Sequence, residues 1–271
     1  MRANVPEYDL RAAKSLDEAL ALRAEGWEPI AGGTDLMVLF QANKLGARRL
    51  VDISRLPELK GVATGPDRVS IGALTTYTDI QRNPLVQAEF GMLWQSASWT
   101  GSIANQNRAT IGGNIANASP AADSPPALLA YGARLVLVSP RGVRTVEYSD
   151  FHTGYKRSVL ANDELIQAIE LPRPKYARKE YIRKVGTRRA QAISKVCFAG
   201  LKQDGEVRIA IGSVAPTVIR CFKTEQTIQN GQPAIEMLLS EIAPIDDIRS
   251  TARYRNRVAA NLLEEFLHAI A

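Results

Sequence analysis

Two adjacent glycines, Gly32 and Gly33, stand between an apolar strand candidate, Pro29–Ala31, and a short helix over Asp35–Gln41. A chain that passes from strand to helix through such a pair uses backbone conformations closed to other residues, and its amides can converge on an anion. Thr34 adds a hydroxyl donor, and the helix beginning at Asp35 and Leu36 contributes its positive end. Ala31–Leu36 by itself also reads as a tight turn with no ligand. A second pair, Gly112 and Gly113, lies in TIGGNIANASPAADSPPAL, beside the hydroxyl of Thr110 and the amide of Asn114. That segment is too polar for a core and repeats the same physical idea. Two glycine nests can serve one dinucleotide. Neither resembles GxGxxG, which disfavours an ordinary nicotinamide-binding fold.

The surrounding pattern builds an α+β chain. A strand at Tyr8–Leu10 leads to a helix from Ser15, where SLDE forms a capping box, and Gly26 ends that helix. With Pro29–Ala31, the glycine turn, the short helix and the strand RRLVDIS, this order fits a small α/β lobe over about residues 1–55. A larger α+β lobe, 56–172, follows. In it DRVSIGALTTYTDI switches from strand to helix near Thr76, Leu85–Trp99 reads as one longer helix, and Ser102–Ser119 reads as a structured loop. ARLVLVSPRGVRTVEY predicts a hairpin, and ELIQAIELP a strand closed by Pro172. The Pro- and charge-rich stretch Pro172–Lys179 separates a C-terminal α+β domain, 178–271. This has a hairpin around Gln203–Gly205 and a terminal amphipathic helix with Val258, Leu262, Leu263, Phe266 and Leu267 on its apolar side.

Composition removes several classes of function. The 271 residues carry 34 basic and 28 acidic side chains, a formal charge of +6, but only Lys175–Arg189 is densely basic and no nucleic-acid module accompanies it. No apolar run approaches the ~18 residues of a membrane span. The N-terminus, MRANVPEYDLRAAKSLDEAL, lacks the apolar core of a secretory signal, so a cytoplasmic location is expected. Cys197 and Cys221 form no CxxC pair and read as small core residues, while His152 and His268 have no metal-ligand spacing. No metal is expected on this chain.

Within the second glycine segment, Ser119–Pro120 and Asp123–Ser124 follow the nest. Asp123 is placed to cap a helix over Ser124–Ala130, or to accept hydrogen bonds from a sugar-like hydroxyl. AGGTDL, TIGGNIANASPAADSPPAL, KVGTRRAQAISKV, IGSVAPTVIRC and STARYRNRVAANLL, in this order, resemble the FAD-binding medium subunit of the xanthine dehydrogenase/carbon monoxide dehydrogenase (molybdenum hydroxylase) family. The resemblance runs from Tyr8 to the C-terminal helix.

It implies a two-lobed FAD-binding domain followed by a C-terminal flavoprotein domain. Pro29, Ile30, Ala31, Gly32, Gly33, Thr34, Asp35 and Leu36 would wrap the FAD pyrophosphate. Thr110, Gly112, Gly113, Asn114 and Ser119 would hold the phosphate and ribityl region, with Asp123 bonding the ribityl chain. Ile166, Lys184 and Thr100 would lie near the flavin ring. The partners implied are a large molybdopterin subunit, bearing the molybdenum, and a small subunit with two [2Fe–2S] clusters, in a heterotrimer or its dimer. Three positions depart from the family: Gln106 where an arginine is frequent, Thr100 where some members pack a phenylalanine, and Ala192 where an aspartate is frequent. No nucleophile–base pair stands out, as expected where a cofactor performs the reaction. A free-standing FAD oxidase or reductase and a flavin-free scaffold are the alternatives.

Overall fold

The computed structural model describes residues 7–188 and 191–271. Residues 1–6 of the N-terminus, and Arg189 and Ala190 of the KVGTRRAQAISKV motif, lie outside the described residues.

In the first lobe, β1 (Asp9–Ala12), α1 (Leu16–Ala24), β2 (Glu28–Ile30), α2 (Leu36–Gln41) and β3 (Arg49–Asp52) build a parallel sheet ordered β1-β3-β2. The central strand buries Leu50 and Val51, as a parallel strand covered on both faces must. Ser15 caps α1, its hydroxyl accepting the Glu18 amide at 3.2 Å. The Glu18 carboxylate takes the amide of Lys14 at 2.7 Å, one residue earlier than a capping box requires. None of the residues of α2 is buried, although its sequence, LMVLFQ, is almost wholly apolar.

The second lobe contains β4 (Val62–Thr64), β5 (Arg68–Gly72), α3 (Tyr77–Arg82), α4 (Pro84–Glu89), α5 (Gly91–Ala97), α6 (Ile103–Gln106), α7 (Ile111–Ala116) and α8 (Pro125–Tyr131). The hairpin β6 (Arg134–Ser139) and β7 (Gly142–Glu147), the small pair β8 (His152–Gly154) and β9 (Arg157–Ser158), and β10 (Leu165–Pro172) complete it. Its antiparallel sheet runs β4-β5-β10-β6-β7. Two expectations fail here. The single helix over Leu85–Trp99 is two, broken at Phe90, whose φ and ψ are −139° and 57°. The break turns Phe90 inward against Tyr131, ring centroids 5.3 Å apart, and lets the Met92 amide donate to the Tyr131 hydroxyl at 2.8 Å. Ser102–Ser119 is not a loop but holds α6 and α7, capped by the hydroxyls of Ser102 and Thr110. Helices this short leave no readable periodicity.

The C-terminal part pairs β11 (Arg178–Val185), β12 (Val196–Gln203), β13 (Glu206–Gly212) and β14 (Ile219–Arg220) in that order, antiparallel throughout. Asp204 and Gly205 turn β12 into β13 with φ of +49° and +79°, the mirror-image turn that suits a hairpin. The helices α9 (Phe222–Gln229), α10 (Ile235–Glu241) and α11 (Ala252–Ile270) follow. Both faces of β12 are covered, and its residues divide by parity. Val196 and Phe198 join the core formed with α11, while Ala199 and Leu201 join the core of the second lobe. At Gly200 any β-carbon would lie 2.6 Å from the Phe266 ring, so glycine is what lets α11 close on the sheet.

The helix α8 is buried along its whole length and contacts β12 and β13 on one side and β10 on the other. A helix apolar all round belongs in such a place. Gly132, with φ of +70°, ends it. The residues just before α8 therefore sit where the second lobe meets the C-terminal sheet.

Candidate cofactor site

At the first glycine segment, the amides of Gly32, Gly33, Thr34, Asp35 and Leu36 donate to no group among the described residues. Gly33 has a φ of +73°, a conformation that side chains disfavour. Gly32 is demanded by packing: a β-carbon there would lie 1.9 Å from the carbonyl oxygen of Arg108. Thr34 is half-buried and Asp35 exposed at the start of α2, where Asp35 makes no capping bond. Pro29 and Ile30 pair with Val51 and Asp52 in the sheet, which holds the strand end below the loop. The set is five unclaimed amides and one hydroxyl beside a backbone contact that admits no side chain. It suits the phosphate oxygens of a nucleotide, and FAD fits it.

The second segment is different. From Ile111 to Asn114 its amides are engaged: Ile111 donates to the Thr75 carbonyl at 3.1 Å, Gly112 to that of Ala73 at 2.8 Å, and Asn114 to that of Thr110 at 3.0 Å. The Gly113 amide donates to the Thr110 hydroxyl at 3.2 Å. Thr110–Asn114 is therefore the capped start of α7, not a second amide nest, and the expectation of two equivalent nests is corrected. Its glycines serve approach. A β-carbon on Gly112 would lie 2.5 Å from that of Ala73. What the segment still offers is the Thr110 hydroxyl proton and the Asn114 side chain, whose oxygen is 3.5 Å from the Ser124 hydroxyl.

The two segments touch. Arg108 Nε donates to the Gly32 carbonyl at 3.1 Å, and Asn117 Nδ2 to Asp35 at 3.2 Å. Lys156 Nζ holds the Asn117 carbonyl at 2.8 Å, with the Asn117 side-chain oxygen closer still. Arg108, Asn117 and Lys156 were not singled out in the sequence, because pairing across such separations has no local signal.

Deeper in, Asp123 is 8% exposed. It does not cap α8: Ser124 occupies that position and makes no side-chain capping bond. One Asp123 oxygen accepts from Lys184 Nζ at 2.6 Å and the other from the Ser194 hydroxyl at 2.6 Å. Lys184 also donates to the Trp99 carbonyl at 3.0 Å, and its side chain is 9% exposed, so it is no surface lysine. Burial pushes the Asp123 carboxyl above its ordinary range, and the Lys184 ammonium opposes that shift. Beside this pair the Tyr77 hydroxyl lies 2.8 Å from that of Ser124. Burial raises the Tyr77 pKa far above the usual phenol range, which keeps it a neutral hydrogen-bonding group.

The remaining candidates take quieter places. Ile166 is buried on β10 at an irregularity in the ladder with β6. The next carbonyl, of Gln167, accepts the Ala73 amide at 2.9 Å, which joins β10 to the strand end under Gly112. Thr100 donates to the Ser96 carbonyl at 3.2 Å, and the Ser119 hydroxyl accepts the Ala121 amide at 3.3 Å within a local turn. Cys197 and Cys221 are fully buried, as core residues. His152 is half-buried against Tyr148 and Phe151 and bonds the Ile115 carbonyl at 2.9 Å, a structural post under α7. Burial lowers its pKa, and the bond to Ile115 opposes that shift. Among the described residues no group of three or more histidines, cysteines and acids is placed to hold a metal, and no helix is long and apolar enough to cross a membrane.

Known proteins share this architecture. Residues 6–174 match the family model of the FAD binding domain in molybdopterin dehydrogenase, and residues 181–270 that of the CO dehydrogenase flavoprotein C-terminal domain. The chain is 35% identical to the xanthine dehydrogenase FAD-binding subunit of Escherichia coli O157:H7, over 90% of this chain and 89% of that one. It is 30% identical to the carbon monoxide dehydrogenase medium chain of Hydrogenophaga pseudoflava, over 97% of each. A solved structure of the carbon monoxide dehydrogenase from that organism, lacking the Mo-pyranopterin moiety of its cofactor, superposes with a TM-score of 0.93 at 28% identity, covering 99% of this chain and 98% of that one.

Proposed function

Because the chain belongs to the molybdopterin dehydrogenase family as its FAD-binding medium subunit, we propose that it seats FAD across the two glycine-rich segments and relays electrons from a partner chain to an external acceptor. The observation that carries the reading is the run of unclaimed amides from Gly32 to Leu36, set beside a glycine that packing forbids to change. These amides and the Thr34 hydroxyl take the pyrophosphate, with Pro29, Ile30 and Ala31 as the strand end beneath. Thr110, Gly112, Gly113, Asn114 and Ser119 line the phosphate and ribityl side. Asp123 accepts from ribityl hydroxyls, while Ile166, Lys184 and Thr100 border the ring.

Bound FAD supplies a store for two electrons, which lets single-electron donors serve a two-electron acceptor. This chain contributes binding, orientation and the charge around the ring. The partners are a large subunit bearing molybdopterin-bound molybdenum and a small subunit with two [2Fe–2S] clusters, in a heterotrimer or its dimer. The acceptor is NAD⁺, a quinone or oxygen. Residues 1–172 act as the FAD-binding domain and 178–271 as the flavoprotein domain that closes on it. A cytoplasmic setting accords with two unpaired, buried cysteines.

A free-standing oxidase would need an acid or base of its own over the ring, but the buried ionisable groups here, Asp123 and Lys184, bond each other. A flavin-free scaffold would have no reason to keep five amides open. Purification of the full chain tests the reading: it should carry FAD or take it up in one-to-one stoichiometry, seen by visible flavin absorption. A folded chain that neither carries nor binds FAD overturns it.

A further inference from the structure

Arg108 embraces the first glycine segment from two sides. Its backbone carbonyl fills the space where a Gly32 side chain would go, and its Nε donates to the Gly32 carbonyl at 3.1 Å. The guanidinium is thus anchored on the loop that carries the open amides. Its terminal nitrogens, Nη1 and Nη2, meet no acceptor among the described residues. Asp35, the acidic residue of that loop, has an oxygen occupied by Asn117. A planar guanidinium pinned at one nitrogen and open at the other two is a preorganised fork for two phosphate oxygens. The amides alone bring only partial charge to a group that carries full negative charges.

We propose that Arg108 binds the diphosphate of the cofactor, supplies the positive charge that the Gly32–Leu36 amides lack, and thereby favours flavins with a diphosphate over flavins without one. The proposal rests on the FAD reading above. It adds a residue outside both glycine segments, and it makes the grip electrostatic as well as geometric.

The test titrates the full chain, stripped of flavin, with FAD, with riboflavin, which has no phosphate, and with ADP as a competitor, following flavin fluorescence. Arg108→Ala should weaken FAD and ADP by about 10–100-fold, the range of a charge-assisted bond, and leave riboflavin unchanged. Arg108→Lys keeps the charge without the fork and should recover part of the loss. For the wild type, added salt should weaken FAD but not riboflavin; this arm keeps the proposal falsifiable even if the alanine variant does not fold, since a salt-independent FAD affinity overturns it. Equal weakening of FAD and riboflavin would reduce Arg108 to a structural brace and overturn it too. Unchanged FAD affinity in Arg108→Ala overturns this proposal alone, whereas a wild-type chain that takes neither FAD nor ADP overturns the FAD reading itself.

Discussion

The two glycine-rich segments look alike in sequence and do opposite things with their backbones. From Gly32 to Leu36 the amides are open, whereas from Ile111 to Asn114 every amide is bonded to Thr75, Ala73 or Thr110. The difference lies in what surrounds them. The first leaves the end of a sheet with no strand beyond it to pair with. The second is threaded against the continuation of β5 and capped by its own threonine. Glycine in the first is a means of exposing donors, and in the second a means of bringing backbones together.

Substitutions can break or sharpen this contrast. The largest stability effect is expected at Gly112. A methyl there would sit 2.5 Å from the Ala73 β-carbon and 2.8 Å from its carbonyl oxygen, in the buried junction under α7. Gly112→Ala should cost about 3 kcal/mol, the upper range for overpacking, read as a lower denaturation midpoint. Gly32→Ala should show a different balance. Its β-carbon would meet the Arg108 backbone carbonyl at 1.9 Å, so the two segments must part, which should lower stability by about 2 kcal/mol and FAD affinity at least about tenfold. Comparable stability losses for the two variants, with no difference in FAD affinity, would erase the distinction between the segments. The smallest effect is expected at Thr110. Thr110→Val removes a helix cap and should cost about 1 kcal/mol in thermal or denaturant unfolding, with at most a several-fold loss of FAD affinity.

Much of the fold was legible because it follows from local chemistry. Ser15 and Gly26 bound α1, and the apolar spacing of Leu262, Leu263 and Phe266 marks the buried face of α11. The Asp204–Gly205 turn sits where the hairpin was expected. Elements of one or two turns were not legible. The cap residues Ser102 and Thr110 were in plain view, but α6 and α7 are too short to repeat an apolar face. The break at Phe90 depends on Tyr131, to which both the ring and the Met92 amide turn, and the one local cue, Gly91, is a residue that helix interiors also tolerate.

The candidate site divides in the same way. Gly32, Gly33, Thr110 and Gly112 declare themselves by residue type, since only small or hydroxyl-bearing residues satisfy such turns and caps. Asp123 and Lys184 could be named separately, but the ion pair between them could not, because it forms where the strand β11 meets the residues ahead of α8. Ser194, which completes the carboxylate's bonds, and Arg108, which leans on Gly32, are long-range partners of the same kind.

By itself, then, the sequence determined the alternation of strands and helices, the two glycine turns and the terminal helix, because each depends on backbone freedom, capping and periodicity within a few residues. Only the tertiary structure decided which turn keeps its amides free, which carboxylate faces which ammonium, and how Arg108 meets the loop. Those outcomes depend on which distant groups arrive first at each donor and acceptor, and a buried polar group takes whatever partner the packing brings.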